Sequence, residues 1–115
     1  MRVIIAGSRS CCEPQHLEKA IAASGFAITA IVSGGARGVD RLGEAWANRM
    51  GVPIHRFAPN WQRYGRGAGP QRNREMADAA DGLIALWDGK SKGTAHMIDT
   101  ARKKGLKVFV VRIDK

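Results

Sequence analysis

Five short apolar runs recur along the chain: RVIIA (2–6), ITAIVS (28–33), VPIHRF (52–57), GLIALW (82–87) and KVFVVRI (107–113). Each is rich in β-branched residues and too short for a helix, so each predicts a strand. The segments between them change to a helical period. Ser10 followed by Glu13 reads as a capping box for a helix running to about Ser24, with Leu17, Ala20 and Ile21 inward and Gly25 as its stop. VDRLGEAWANRM (39–50) spaces Leu42, Ala45, Trp46 and Arg49 or Met50 for one face, and Gly51 closes it. GPQRNREMADAAD (69–81) starts at Pro70, a first-turn residue, and turns Met76, Ala77 and Ala80 inward. TAHMIDTARKKG (94–105) does the same with Met97, Ile98 and Ala101.

Strand and helix alternating four times, closed by a fifth strand, predict an α/β domain: a Rossmann-like three-layer α/β/α sandwich around a five-stranded, mostly parallel sheet. One connection breaks the rhythm. APNWQRYGRGAG (58–69) has no periodicity, and a loop of that length in a compact domain suggests a lid or a binding loop.

At 115 residues the chain suits one domain, 1–115, with its own core. No apolar run approaches the roughly 20 residues of a membrane span, and the opening MRVIIAGSRS lacks a signal-peptide core, so the expected compartment is the cytoplasm. Cys11 and Cys12 are adjacent, a poor arrangement for a disulfide and no metal-ligand spacing; reduced thiols, no metal and no cofactor are expected. Charge adds more. Nineteen Lys and Arg against ten Asp and Glu leave a net +9, a field that attracts polyanions. Residues 56–74 hold Arg56, Arg63, Arg66, Arg72 and Arg74 and no acid.

In an open parallel sheet, ligands sit beyond the carboxyl ends of the strands. Those ends read GSRS, SGGARGVD, the Arg-rich stretch and DGKSKGT. Small residues let backbone N–H groups approach phosphate oxygens, and the first turn of a helix adds unpaired donors. The candidate ligand-binding residues are therefore Gly7, Ser8 and Arg9; Ser33, Gly34, Gly35, Arg37, Gly38 and Asp40; Arg72 and Asn73; and Asp88, Gly89, Ser91, Gly93 and Thr94. A branched residue at Gly35 is expected to block an anion while leaving the fold intact. GKS at 89–91 is not a P-loop, because the first glycine of GxxxxGK[ST] falls on Ile84, and GxGxxG is absent from the first turn. Asp40 serves either as a helix-terminal carboxylate or as a ligand for a ribose hydroxyl or for Arg37. Asp88 is either a turn residue or a ribose contact. Arg74, four residues before Asp78, fits an exposed ion pair. Trp61 and Tyr64 alternate with Arg63 and Arg66, which suits base stacking or pinning of the loop to the core. Trp46 and Trp87 read as core.

AGSR, SGGARGVDRLGEAWA, GPQRNREMADAAD and LIALWDGKSKGT, in this order and spacing, resemble the YspA-like branch of the SLOG superfamily, the Rossmann-like group that includes DprA, LOG and YpsA proteins. The resemblance implies a nucleotide or nucleotide-derived ligand, ADP-ribose-like or a nucleoside phosphate, along the sheet edge, and a homodimer or higher oligomer. LOG enzymes are phosphoribohydrolases with a PGGxGT loop followed by a functional Glu. Here Gly93 and Thr94 keep the loop's end and Arg72 precedes Met76 by four, but Ala95, His96 and Met97 follow Thr94. Glycosidic cleavage ordinarily uses a carboxylate, so LOG-like hydrolysis of a nucleoside 5′-monophosphate stands second. DprA-like binding of single-stranded DNA through the basic stretch 56–74 stands third. Catalytic residues are not assigned, and turnover is left open.

Overall fold

A computed structural model describes residues 1–9 and 13–113. Five strands, β1 (Arg2–Gly7), β2 (Ala30–Ser33), β3 (Ile54–Arg56), β4 (Gly82–Trp87) and β5 (Lys107–Arg112), pair in the order β3-β2-β1-β4-β5. Every pairing is parallel, from Arg2 against Ala30 and Val3 against Gly82 outward to Ile31 against Ile54 and Leu83 against Val108. The domain is thus α/β and Rossmann-like, with a sheet parallel throughout.

Alternation along β1 explains the layers. Val3 and Ile5 belong to one core with Leu17, Ala20, Val39 and Ala47 from α1 (Pro14–Ser24) and α2 (Val39–Met50). Ile4 and Ala6 belong to the other, with Met76, Ala77, Met97, Ile98 and Ala101. These come from α4 (Ala68–Asp78) and α5 (Lys92–Lys103), which follow the four-residue α3 (Trp61–Tyr64). A strand apolar on both sides is what a sheet covered on both faces requires.

Several local expectations are corrected. Glu13 itself is the N-cap of α1, its N–H donating to His16 Nδ1 at 3.1 Å; Ser10, like Cys11 and Cys12, lies outside the described residues. The stretch 58–69 is largely helical, with α3, a 3-10 turn at Gly65–Gly67 and the start of α4 at Ala68. The inward stripe of α2 is Val39, Gly43 and Ala47, while Ala45 and Met50 are exposed and Leu42 and Trp46 are half-buried. Gly43 sets that stripe: a Cβ there would lie 2.8 Å from Ile5 Cβ, so α2 rests on β1 at glycine distance. Trp87 is half-buried, its indole N–H donating to Ser91 O at 3.1 Å beneath the Arg112 guanidinium. Arg74 bonds Gln71, and Asp78 pairs with Lys104.

Candidate functional site

Strand order reverses between β1 and β4, the place where an open α/β sheet makes a crevice at its carboxyl edge. Here the neighbouring turns touch. A Cβ on Gly7 would lie 2.2 Å from Leu86 O, and Ser8 Oγ accepts the Asp88 N–H at 3.1 Å, joining the β1 and β4 ends. On the other side Gly38, at φ +76°, brings the β2–α2 turn so close that a Cβ would meet Ser8 O at 2.5 Å and Arg9 O at 2.6 Å. Glycine is needed at that position twice over, for its dihedral and for its missing side chain.

Arg72 reaches this rim from the first turns of α4. Its Nη1 donates to Gly34 O at 2.9 Å and to Phe57 O at 3.5 Å, tying the β2 and β3 ends, and its Nε donates to Asn73 Oδ1 at 3.2 Å. Asp40, buried at the second position of α2, lies on the same side of Gly34: a Cβ on that glycine would stand 2.5 Å from Arg72 Nη1 and 2.9 Å from Asp40 Oδ2. Burial raises the Asp40 pKa to about 6, against the pull of the Ala36 N–H bond and of Arg72. Burial also lowers the Arg72 pKa; Asp40 opposes this and nearby Arg9 adds to it. Arg9 thus adds positive charge near Arg72, beside a carboxyl that burial makes harder to ionise.

Some groups expected to meet a ligand are spent within the protein. The Gly35 N–H donates to Ser33 Oγ at 3.1 Å and the Ala36 N–H to Asp40 Oδ2 at 3.2 Å. Ser33 in turn donates to Glu44 Oε2 at 2.6 Å, and Arg56 holds the same carboxylate through Nε at 3.1 Å and through Nη2. Hydrogen bonds from Arg56 keep the Glu44 carboxyl below the usual range. Asp88 acts as a turn residue: its Oδ1 accepts from Lys90 N and Ser91 N, both at 2.8 Å, and these bonds lower its pKa. Ser91 caps α5, accepting from Thr94 N and pairing with the Thr94 hydroxyl at 3.1 Å. Gly89, at φ +81°, packs under Arg112, and Gly93 has open space around it. Asp40 bonds the Ala36 amide and stands beside Arg72.

Asn73 is the buried link between Arg72 and α5. An arginine only donates, so the oxygen of the Asn73 amide must face Arg72 Nε and the nitrogen must face His96 Nδ1, at 3.0 Å. His96 Nδ1 is therefore an acceptor, and the neutral ring carries its proton on Nε2. His96 sits one turn from Gly93, whose carbonyl Asn73 also reaches at 3.4 Å. Glu44 was missed outright.

The rim is bordered by exposed cations. Arg9, Arg37, Arg63, Arg66, Lys90 and Lys92 have no carboxylate in ion-pair range among the described residues. Past the β3 end, Trp61 and Tyr64 are 59% and 38% exposed, so neither pins its segment to the core, and the Arg63 guanidinium lies 5.3 Å from the Tyr64 ring centroid. Among the described residues no group of His, Cys, Asp and Glu has a metal-holding arrangement, and no helix is long and apolar enough to cross a membrane.

A model of the YspA, cpYpsA-related SLOG family matches residues 1–64. The Gene 61 protein of Mycobacterium phage D29 is 35% identical over 94% of this chain and 94% of its own length. DNA processing protein A (DprA) from Streptococcus pneumoniae, a solved structure, aligns with a TM-score of 0.76 and 22% identity over 95% of this chain. This chain spans about half of that one, 49% of its length, and at such identity the likeness is one of fold.

Proposed function

We propose, from the premise that this chain belongs to the YspA, cpYpsA-related SLOG family, that its carboxyl-edge rim binds a nucleotide or nucleotide-derived ligand by its phosphate. The observation that carries this is the charge at the crevice. Arg72 is half-buried and fixed on Gly34 O, Arg9 adds a second positive charge near it, and burial raises the pKa of its neighbour Asp40 to about 6. An anionic oxygen between the two guanidiniums would relieve their repulsion and take up forked donors. The backbone amides of Gly35 and Ala36, already bonded to Ser33 and Asp40, play the smaller part. Sensing, sequestration and processing of the ligand all begin with this step.

A branched residue at Gly35 is a poor test, because Gly35 sits at φ +71° and any side chain there strains the backbone. Gly34→Ala is better. Gly34 has no left-handed dihedral, and its new methyl would meet the movable end of Arg72 and displace the guanidinium. Thermal unfolding over a panel of nucleoside phosphates and inorganic pyrophosphate should show stabilisation of the parent that grows with ligand concentration and is lost in Gly34→Ala. Equal stabilisation of both proteins would remove Arg72 from the site. Chromatography of the incubated nucleotides separates binding from turnover, since glycosidic cleavage releases free base.

The exposed Trp61 and Tyr64 beside Arg63 and Arg66 favour a second reading, in which the surface binds single-stranded DNA. Affinity would then grow with strand length and fall steeply with salt.

A further inference from the structure

Beyond the rim, a pocket of about 270 Å³ opens between α3 and α4. Asn60, Arg63, Tyr64, Gln71, Arg72 and Glu75 line it, and the small side chains of Ala58 and Ala68 leave it room. We infer that this pocket takes the base of the nucleotide whose phosphate the rim holds, stacked against Tyr64 and chosen by Glu75 for an edge of N–H donors. The inference rests on the rim as an anion site, proposed above.

Four observations support it. Arg72 belongs to both places: its Nη1 is fixed on Gly34 O, and its side chain forms one wall of the pocket, so a ligand anchored at Arg72 has its next group beside the opening. The volume lies just under the roughly 300–1,000 Å³ of pockets for drug-sized ligands, which suits one ring system. Tyr64 and Arg63 present two planar groups, a ring and a guanidinium 5.3 Å apart, and both are exposed. Base-on-aromatic and base-on-guanidinium stacking both use such planes.

The fourth observation concerns selectivity. The Asn60 Oδ1 is committed to capping α3, accepting the Arg63 N–H at 3.1 Å, and Gln71 is engaged by Arg74 at its oxygen and by Glu75 at its nitrogen. Glu75 Oε1 accepts from Gln71 at 3.4 Å, and its carboxylate, which only accepts, keeps Oε2 for the pocket. It repels a phosphate, which keeps that group on the Arg72 side, and it attracts adjacent N–H donors. Guanine presents such a pair on its Watson–Crick edge; uracil and thymine present one N–H between two carbonyls.

Calorimetric titration of guanosine monophosphate, uridine monophosphate, ribose 5-phosphate and guanosine into the parent, Tyr64→Ala, Tyr64→Phe and Glu75→Gln tests this. In the parent, guanosine monophosphate should bind about tenfold or more tightly than ribose 5-phosphate, the margin a stacked base ordinarily supplies. Tyr64→Ala should remove that margin and leave ribose 5-phosphate as in the parent. Tyr64→Phe should restore it, and Glu75→Gln should narrow the preference for guanosine over uridine monophosphate. Equal binding of guanosine monophosphate and ribose 5-phosphate by the parent, or an equal loss of both in Tyr64→Ala, overturns the pocket. If no phosphate ester binds, the rim has failed, and guanosine alone decides the pocket: binding lost in Tyr64→Ala upholds it, and no binding overturns it. If the effect of Tyr64→Ala appears with single-stranded oligonucleotides and grows with their length, the pocket stands and its base belongs to a strand.

Discussion

Replacing Asp40 by asparagine isolates the electrostatic cost of the rim. Asp40 is buried, and its pKa in the folded chain is about 6 against an ordinary 3.8. Between these values the folded protein holds a proton that the unfolded chain has released, so this residue's contribution to stability falls as pH rises from about 4 through about 6. Above that window the loss is complete. At about 1.4 kcal/mol per pH unit, the gap amounts to about 3 kcal/mol. Asparagine keeps an oxygen for the Ala36 N–H but has no charge to desolvate, and it gives up the attraction of Arg72. The variant should match the parent near pH 4 and exceed it by about 1–3 kcal/mol at pH 8. Urea unfolding followed by tryptophan fluorescence reads this as a midpoint shift on the order of 1 M, since small domains lose about 1–3 kcal/mol per molar urea. Glu44, Asp81 and Asp88, whose pKa values are lowered, contribute stability that is present above the ordinary carboxylate range and lost as pH falls below it, so the parent's own profile is mixed. Asp81 and Asp88 cancel in the difference between variant and parent, while Glu44, whose charge helps raise the Asp40 pKa, enters it as part of the cost of ionising Asp40. A difference that does not vary with pH would refute the placing of Asp40 as a buried, reluctantly ionised carboxyl.

Gly43→Ala adds a methyl 2.8 Å from Ile5 Cβ and should destabilise by about 1–3 kcal/mol despite alanine's better helix propensity, as urea midpoints will show. Gly51→Ala and Gly38→Ala both place a side chain at positive φ, but Gly51 faces open space and Gly38 faces Ser8 O and Arg9 O. The first should cost about 1–2 kcal/mol and the second distinctly more, and equal melting temperatures would deny the contact between the two turns. The nitrogen shifts of His96 by NMR should report the Nε2–H tautomer in the neutral parent and a mixture in Asn73→Leu, which removes the shorter contact at Nδ1 and leaves only the Thr100 hydroxyl at 3.5 Å; a parent already mixed would contradict the amide orientation set by Arg72.

The fold was legible because burial on both sheet faces leaves a simple trace: in β1 after the exposed Arg2, and throughout β4, every residue is apolar or small, whichever way it points. Arg72 and Asn73 were legible for a related reason, since their spacing to Met76 and Ala80 fixes the side of α4 on which they emerge. The segment 58–69 was not. Its helical pieces are four and three residues long, shorter than any periodic pattern, and Gly65, Gly67 and Gly69 make the composition read as loop. Glu44 was invisible because its role depends on β3 lying beside β2, which brings Arg56 and Ser33 to one carboxylate from 12 and 11 residues away.

The glycine turns show that one composition serves two purposes. GSRS and SGGARG have the composition of phosphate loops, and the same composition is needed to stack two turns within a side chain's thickness. Here Gly7 and Gly38 do the stacking, while the amides of Gly35 and Ala36 close on the protein's own Ser33 and Asp40. A glycine can face a ligand or another backbone, and the sequence does not distinguish them because both need the Cβ gone. The guanidiniums are less ambiguous. Burial makes Arg72 electrostatically costly, the attraction of Asp40 offsets part of that cost, and Arg9 adds to it, so an anion bound between the two arginines would lower it. The anion site proposed for this rim would therefore be built by side chains that arrive from α4 and from the β1 end, on a floor that the glycines only make thin.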